Sequence, residues 1–179
     1  MSHVGRHTNL LPMPAPETVV RRAIVADRVP IFRMLELYQH DLSDIWDQDL
    51  GADGEFGYEL NRYWSSERCH SFVATVAAHY AGFALVDRSV KVGGAGYWMD
   101  QFFVMKKYRR GGVGSALAHG AFSALPGAWE VGEMLNNHGA QCFWRKVVSQ
   151  YTAGAFLEHK ILGGAWEGYV QCFESPEPE

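Results

Sequence analysis

The chain has 179 residues, 47% of them apolar and 20% charged, with a formal net charge of −4. That length is most simply one domain with room for a sizeable core, and the composition is ordinary for a globular protein. The acidic balance argues against a nucleic-acid partner, and no apolar run is long enough to span a membrane. Cys69, Cys142 and Cys172 are far apart and show no CxxC or Cys/His spacing. They read as buried, reduced thiols of a cytoplasmic protein without a metal site.

Residues 1–18 read as a flexible arm, because Pro12, Pro14 and Pro16 interrupt the apolar Leu10-Leu11 before a signal-peptide core can form. A single domain is expected over 19–173. Val19 to Ile24 predicts a first strand. Asp27 is placed as the N-cap of a helix with Pro30 near its start and an apolar stripe of Val29, Ile31, Leu35, Leu37, Tyr38 and Leu42. A second helix is expected from about Glu55 to Trp64, after a loop containing Gly51 and Gly54. Ser71 to Val76 and Tyr80 to Val86 predict a hairpin turning near Ala78-His79. Gly93-Gly94 then precedes a strand from Tyr97 to Met105.

A glycine-rich turn opens the next helix, which runs to about Ala124 with Val113, Leu117, Ala121 and Leu125 on one face. Its residues Ala116, Ala118, Gly120 and Ala124 are small enough for close packing on a sheet, and Pro126-Gly127 ends it. Ala128 to Val131 predicts a short strand. His138 to about Gln150 predicts a helix. A last hairpin runs from Phe156 through Gly163-Gly164 to Trp166 and Phe173, and residues 174–179 read as a solvated tail. The expected fold is α/β, in the sense of a mixed α+β layer whose sheet is largely antiparallel with one parallel step at the glycine turn.

The segment Tyr108-Arg109-Arg110-Gly111-Gly112-Val113-Gly114-Ser115 carries the most chemistry. A strand, a basic glycine turn and a helix start make an anion cradle, where backbone N–H groups approach a phosphate at the positive end of the helix. Lys106, Lys107, Arg109 and Arg110 stand out on an acidic chain, which suggests a small polyanion rather than a polymer. A P-loop is excluded because no Lys-Ser or Lys-Thr follows the glycines. A dinucleotide turn is disfavoured because Leu117 stands where its third glycine belongs, and the turn follows a hairpin rather than opening a βαβ unit.

Arg109-x-x-Gly112-x-Gly114 matches the Q/R-x-x-G-x-G/A signature of the GNAT superfamily of acetyl-CoA-dependent N-acetyltransferases. Phe103 to Tyr108 resembles the end of that family's fourth strand and its link. The hairpin containing Phe72-Val73-Ala74 and Gly82-Phe83-Ala84 resembles its second and third strands. Asn137-His138-Gly139-Ala140-Gln141-Cys142-Phe143-Trp144 resembles its N-x-x-A-x-x-F-Y segment. The resemblance covers roughly Val19 to Phe173. It implies the acyl-CoA N-acyltransferase fold, with about seven mostly antiparallel strands and about four helices.

The resemblance also implies a site. Backbone atoms of Phe103 and Val104 would pair with the pantetheine arm, and amides of Arg110, Gly111, Gly112, Val113, Gly114 and Ser115 would hold the pyrophosphate. Asn137 would bond the arm or simply cap the helix at His138, and Phe143 would pack near the arm or in the core. Arg109 and Arg110 would face the phosphates or form a solvated pair. The implied substrates are acetyl-CoA and an amine of a small molecule or peptide, with a homodimer among the open oligomeric states.

Transfer to an amine requires a group to take its proton and another to protonate the leaving thiolate. Nothing suggests an acyl-enzyme, since neither GxSxG nor a Cys/His arrangement is present. Asp100 and Glu130, on the two strands expected to flank the acetyl group, are candidate bases, with salt bridges as their alternative role. In a regular strand Asp100 would share a face with Trp98 and Phe102. Relatives carry tyrosine where this chain has Trp144, and an indole N–H is no acid, so Tyr151, Tyr97 or water would serve. Acceptor specificity is assigned to the region from Tyr38 to Trp64, where Asp41, Asp44, Asp47, Asp49 and Asp53 form an acidic rim or only a solvated face. A non-catalytic acyl-CoA-binding module remains the alternative, and a different nucleotide-binding protein a third reading.

Overall fold

A computed structural model describes residues 17–164 and 166–177. Its strands are β1 (Thr18–Arg22), β2 (His70–Val76), β3 (His79–Asp87), β4 (Tyr97–Val104), β5 (Gly127–Met134), β6 (Leu157–Ile161) and β7 (Gly168–Ser175). They form one sheet in the order β1-β2-β3-β4-β5-β7-β6. Every neighbouring pair is antiparallel except β4 and β5. The helices are α1 (Arg28–Trp46), α2 (Arg62–Ser65), α3 (Val113–Ser123) and α4 (His138–Thr152).

Strand alternation sorts the core into two layers. Phe72, Ala74, Ala84 and Val86 point toward α3 and α4, where they meet Leu117, Ala121, Phe122, Trp144 and Val148. Val73, Phe83 and Leu85 point the other way, onto Ile31, Met34, Leu35 and Tyr63. The expected face of the third helix is correct, since Val113, Leu117, Ala121 and Leu125 are all buried. Gly120 allows the helix to lie close, because a Cβ there would come within 2.7 Å of Val20.

Several local expectations change. The helix expected over 55–64 contracts to α2. Gly54 and Gly57 both have φ of 78°, and Phe56 is tied to α1 by its N–H to Glu36 at 3.0 Å and to the turn just after α1 by its carbonyl, which accepts from Gln48 at 2.9 Å. The segment is therefore a loop strapped to α1. The β2–β3 turn falls on Ala77-Ala78, both left-handed. β5 runs on to Met134, and Glu174 and Ser175 belong to β7 rather than to a tail, paired with Ala128 and Gly127. Cys142 is exposed on α4, and Cys69 and Cys172 are half-buried, so the expected burial does not hold. Most of the arm and the last two residues of the tail lie outside the described residues.

Asp27 does stand at the start of α1, but its side chain does not cap the helix. Buried, it receives the Arg21 guanidinium at 2.6 and 2.8 Å, the Tyr80 hydroxyl at 2.6 Å and the Ile24 N–H at 2.7 Å. Hydrogen bonding from Arg21 holds its carboxyl far below the usual carboxylate range.

Two irregularities shape the sheet's centre. β4 and β5 pair at only two positions, Tyr97 with Trp129 and Trp98 with Glu130. Beyond these the strands part, while β4 stays paired to β3 and β5 to β7. The β3–β4 register also shifts, so that Leu85 opposes Gln101 while Val86 opposes Met99. Asp100 is the extra residue of a β-bulge.

Candidate active site

The opening between β4 and β5 leads into a cleft of about 1120 Å³, walled also by α1, the start of α3 and the start of α4. Such a volume suits a large ligand with a second reactant beside it.

At one end lies the glycine turn. Gly112 is the N-cap of α3 with φ of 83°, and no side chain caps this helix. Ala116 N–H bonds the Gly112 carbonyl at 3.0 Å, so the amides of Val113, Gly114 and Ser115 precede the first intrahelical bond. Arg110 is also left-handed, with φ of 66°. Successive left- and right-handed residues turn backbone N–H groups into one concavity, an anion nest. Gly114 has a packing reason, since a Cβ would sit 3.0 Å from the Phe143 ring.

Arg109 and Arg110 part company. Arg109 donates through Nε to the Val104 carbonyl at 2.7 Å and through Nη2 to Asp41 at 2.6 Å, clamping the link after β4 to α1. Lys106 reaches the same Asp41 at 3.2 Å. Burial works against the Asp41 charge, but Arg109 and Lys106 outweigh it and hold the carboxyl below its ordinary value. Asp41 is thus neutralised, and of the acidic stretch only the exposed Asp44, Asp47, Asp49 and Asp53 remain as a solvated rim. Arg110 is exposed at the turn and has no such engagement among the described residues.

Asn137 and Phe143 sit on the α4 wall. Asn137 is the N-cap, its Oδ1 accepting from Ala140 N–H at 3.1 Å, so the capping role is met. Phe143 lies 5.6 Å from Phe102 and 5.0 Å from Trp144, between centroids. Trp144 is 5% exposed and edges onto Phe102 at 4.7 Å.

The bulge decides what faces the acceptor side. Met99 and Phe102 both belong to the α3/α4 layer, so Asp100 and Gln101 between them turn toward α1 and α2. Asp100 therefore does not share a face with Phe102. Its Oδ2 accepts from the Tyr58 hydroxyl and the Tyr63 hydroxyl, both at 2.5 Å, and from Arg62 at 2.9 Å. Gln101 donates to Tyr58 at 3.1 Å. Burial, and then the Asp100 charge, push the Tyr58 hydroxyl up to about 12 and Tyr63 higher still. These phenols stay protonated and serve as fixed donors to Asp100. Trp46, Trp98 and Trp166 line the same cleft with Met134.

The other two candidates lie elsewhere. The Glu130 carboxylate accepts three backbone amides, from Lys91 at 2.5 Å, Val92 at 3.1 Å and Gly93 at 2.5 Å. Tyr151 is hydrogen-bonded to Ser175 at 2.7 Å and Ser123 at 3.1 Å. Both line a separate hollow bounded by Ala128, Phe156 and Cys172. Tyr97 is held against Trp129, with the Arg88 guanidinium 3.5 Å from its ring centre. Glu133 lies past the strand expected over Ala128 to Val131, one step along the alternation of Trp129 and Val131 in the longer β5.

The model of the acetyltransferase (GNAT) family matches residues 31–148. The chain belongs to this family. GNAT acetyltransferases use acyl-CoA, and the cleft between β4 and β5 with the glycine turn at its end fits that donor. Solved structures share the fold at low identity. The ribosomal-protein-S18-alanine N-acetyltransferase of Escherichia coli is 14% identical, with a TM-score of 0.58 over 91% of this chain and 97% of that one. An acetyltransferase from Thermus thermophilus is 13% identical, with a TM-score of 0.63 over 90% and 99%. The spermidine N-acetyltransferase of Vibrio cholerae, solved with CoA and spermine, is 12% identical, with a TM-score of 0.57 over 88% and 95%. No curated protein matches this GNAT chain.

Proposed function

We propose that the protein is an N-acetyltransferase that moves an acetyl group from acetyl-CoA to a primary amine of a small molecule or peptide, by direct attack in a ternary complex. The observation that carries this reading is the divergence of β4 from β5 after two residue pairs, with an uncapped helix start at one end of the gap and a ring-lined, carboxylate-bearing pocket at the other.

The amides of Arg110 to Ser115 hold the pyrophosphate, with the Arg110 charge beside them. The Val104 N–H, on the edge of β4 turned away from β3, holds the pantetheine arm and polarises the thioester carbonyl, whereas the backbone groups of Phe103 face β3 and are spent in the sheet. Asn137, its Oδ1 already used as a cap, offers its amide nitrogen to the arm, and Phe143 packs beside it. Asp100 takes the proton that the amine nitrogen sheds. All its hydrogen bonds fall on Oδ2, which leaves Oδ1 for that task. The Arg62 and tyrosine donors fix its orientation, as a positioned base requires. Trp46, Trp98 and Trp166 bury the body of the amine.

Thermal shift with acetyl-CoA, CoA, ATP and NAD, followed by thiol release across a panel of alkylamines, diamines, arylalkylamines and peptides, tests the reading. Stabilisation by acetyl-CoA and CoA with release on at least one amine is expected. Asp100→Asn should then lower kcat by about 100-fold with little change in the KM for acetyl-CoA. Stabilisation by ATP or NAD alone would overturn the donor assignment. Tight acetyl-CoA binding with silence across the panel would instead identify the non-catalytic module that Trp144 suggests.

A further inference from the structure

The reaction needs a second proton transfer. When the C–S bond breaks, the electron pair leaves on sulfur, and a proton must reach the thiolate to give CoA thiol. Trp144 cannot supply it, because an indole N–H is a donor that does not ionise at useful pH. Tyr151 and Tyr97 are held away from the cleft, and Tyr58 and Tyr63 are committed to Asp100 on the opposite face of the sheet.

Glu133 is on the required side. It follows the last β4–β5 pair, Trp98 with Glu130, by three residues, which brings it level with Gln101, or with Phe102 once the bulge is allowed for. It continues the alternation of Trp129 and Val131, which belong to the α3/α4 layer, and it lines the cleft together with Trp144. It is 3% exposed. Its Oε2 accepts from the Gln171 amide at 3.2 Å, and its Oε1 has no hydrogen-bond partner among the described residues. A buried carboxyl oxygen left unpaired is costly, and costlier still when it is charged. The charged groups nearby are Glu158 of β6 and Arg145 of α4, which are paired with each other at 2.7 and 3.0 Å. Gln171 of β7 joins Glu158 as well, at 2.8 Å, while Arg145 spends its hydrogen bonds on Glu158, so its charge draws the Glu133 carboxyl down without outweighing burial.

We propose that Glu133 is the general acid of the reaction, delivering its carboxyl proton to the sulfur as the C–S bond breaks. The inference rests on the acetyltransferase reading. One proton passes from the amine nitrogen to Asp100, and one passes from Glu133 to sulfur. Afterwards Asp100 returns a proton to solvent and Glu133 takes one up, so the net change is amine plus acetyl thioester to amide plus thiol. Burial pushes the Glu133 carboxyl up to about 8, against the pull of the Gln171 amide, so the acid form is the one present at neutral pH.

The test combines a rate profile with a direct titration. With the amine that gives the fastest thiol release, wild-type kcat should fall as pH rises through about 8, because the acid then loses its proton. Glu133→Gln should lower kcat at pH 7 by about 100-fold and abolish that descending limb, with the KM for acetyl-CoA near wild type. Glu133→Asp, which keeps the carboxyl, should retain the limb at reduced kcat, and it serves if the glutamine variant fails to fold. Carboxyl-¹³C NMR of glutamate-labelled protein bound to CoA should show a signal, absent from either variant, that titrates near pH 8. A Glu133→Gln enzyme with wild-type kcat, or one that keeps the limb, overturns the proposal. So does a Glu133 signal already ionised at pH 6, whatever amine is used. Wild-type inactivity toward every amine would fail the acetyltransferase reading and this one with it, a different result from turnover that is indifferent to Glu133.

Discussion

Gly112 and Gly114 are both glycine, for different reasons. Gly112 has open space where a Cβ would go, but its φ of 83° excludes most side chains on conformational grounds. Gly114 has an ordinary φ and no room, because Phe143 presses against it. This contrast separates folding from binding. Gly112→Asn should retain acetyl-CoA stabilisation in thermal shift, since asparagine tolerates the left-handed region. Gly112→Glu, which places negative charge in the nest, should lose that stabilisation entirely. Equal shifts in the two variants would mean that the turn does not meet the phosphates. The glycine turn was legible because its chemistry is written in consecutive residues. Asp41 was not, since its partner Arg109 lies 68 positions away and only the fold brings them together. The cluster of Tyr58, Tyr63, Arg62 and Asp100 is not legible for the same reason, because it joins a loop, a four-residue helix and a bulge.

Among the elements, the long periodic ones were legible and the irregular ones were not. α1, α3 and α4 follow from apolar spacing and from breakers such as Pro126-Gly127. The bulge at Asp100 leaves no mark in a period-2 reading, because one added residue reverses the faces without changing the composition. The β2–β3 turn shows the reverse case, in which local sequence and local structure conflict. Ala77 and Ala78 have φ of 47° and 63°, the pattern of a two-residue turn that usually carries asparagine and glycine. A left-handed alanine costs about 1–2 kcal/mol, and a glycine there gives back part of that gain as unfolded-state freedom. Ala78→Gly should therefore stabilise the protein by about 0.5 kcal/mol, read as a higher urea midpoint at an unchanged slope. A lower midpoint would show that the turn is not strained as described.

For the molecule as a whole, the Asp27 knot joins β1, the start of α1 and β3 at a buried point. Its carboxyl is held low by Arg21, so its contribution is present above the unfolded value of 3.8 and is lost as pH falls below it. Asp27→Asn should cost about 3 kcal/mol at pH 7, because it leaves the Arg21 and Tyr80 donors facing a weaker acceptor. The difference from wild type should narrow as the pH of the melt is lowered from 5 toward 2. A constant difference across that range would remove the knot from the acid response. Glu133 acts in the opposite sense. Its raised value withdraws stability between pH 4.5 and about 8, so the fold is squeezed electrostatically from both directions.

The two-residue seam between β4 and β5 has a mechanical consequence. On one side lie β1 to β4, and on the other lie β5, β7 and β6. Little backbone bonding crosses between these halves, so a linear molecule laid in the gap becomes the interior strand that the chain does not provide. Seating the donor would then fasten one half of the sheet to the other, and releasing the spent thiol would loosen the same join. The rhythm of turnover would be written into the rigidity of the sheet itself.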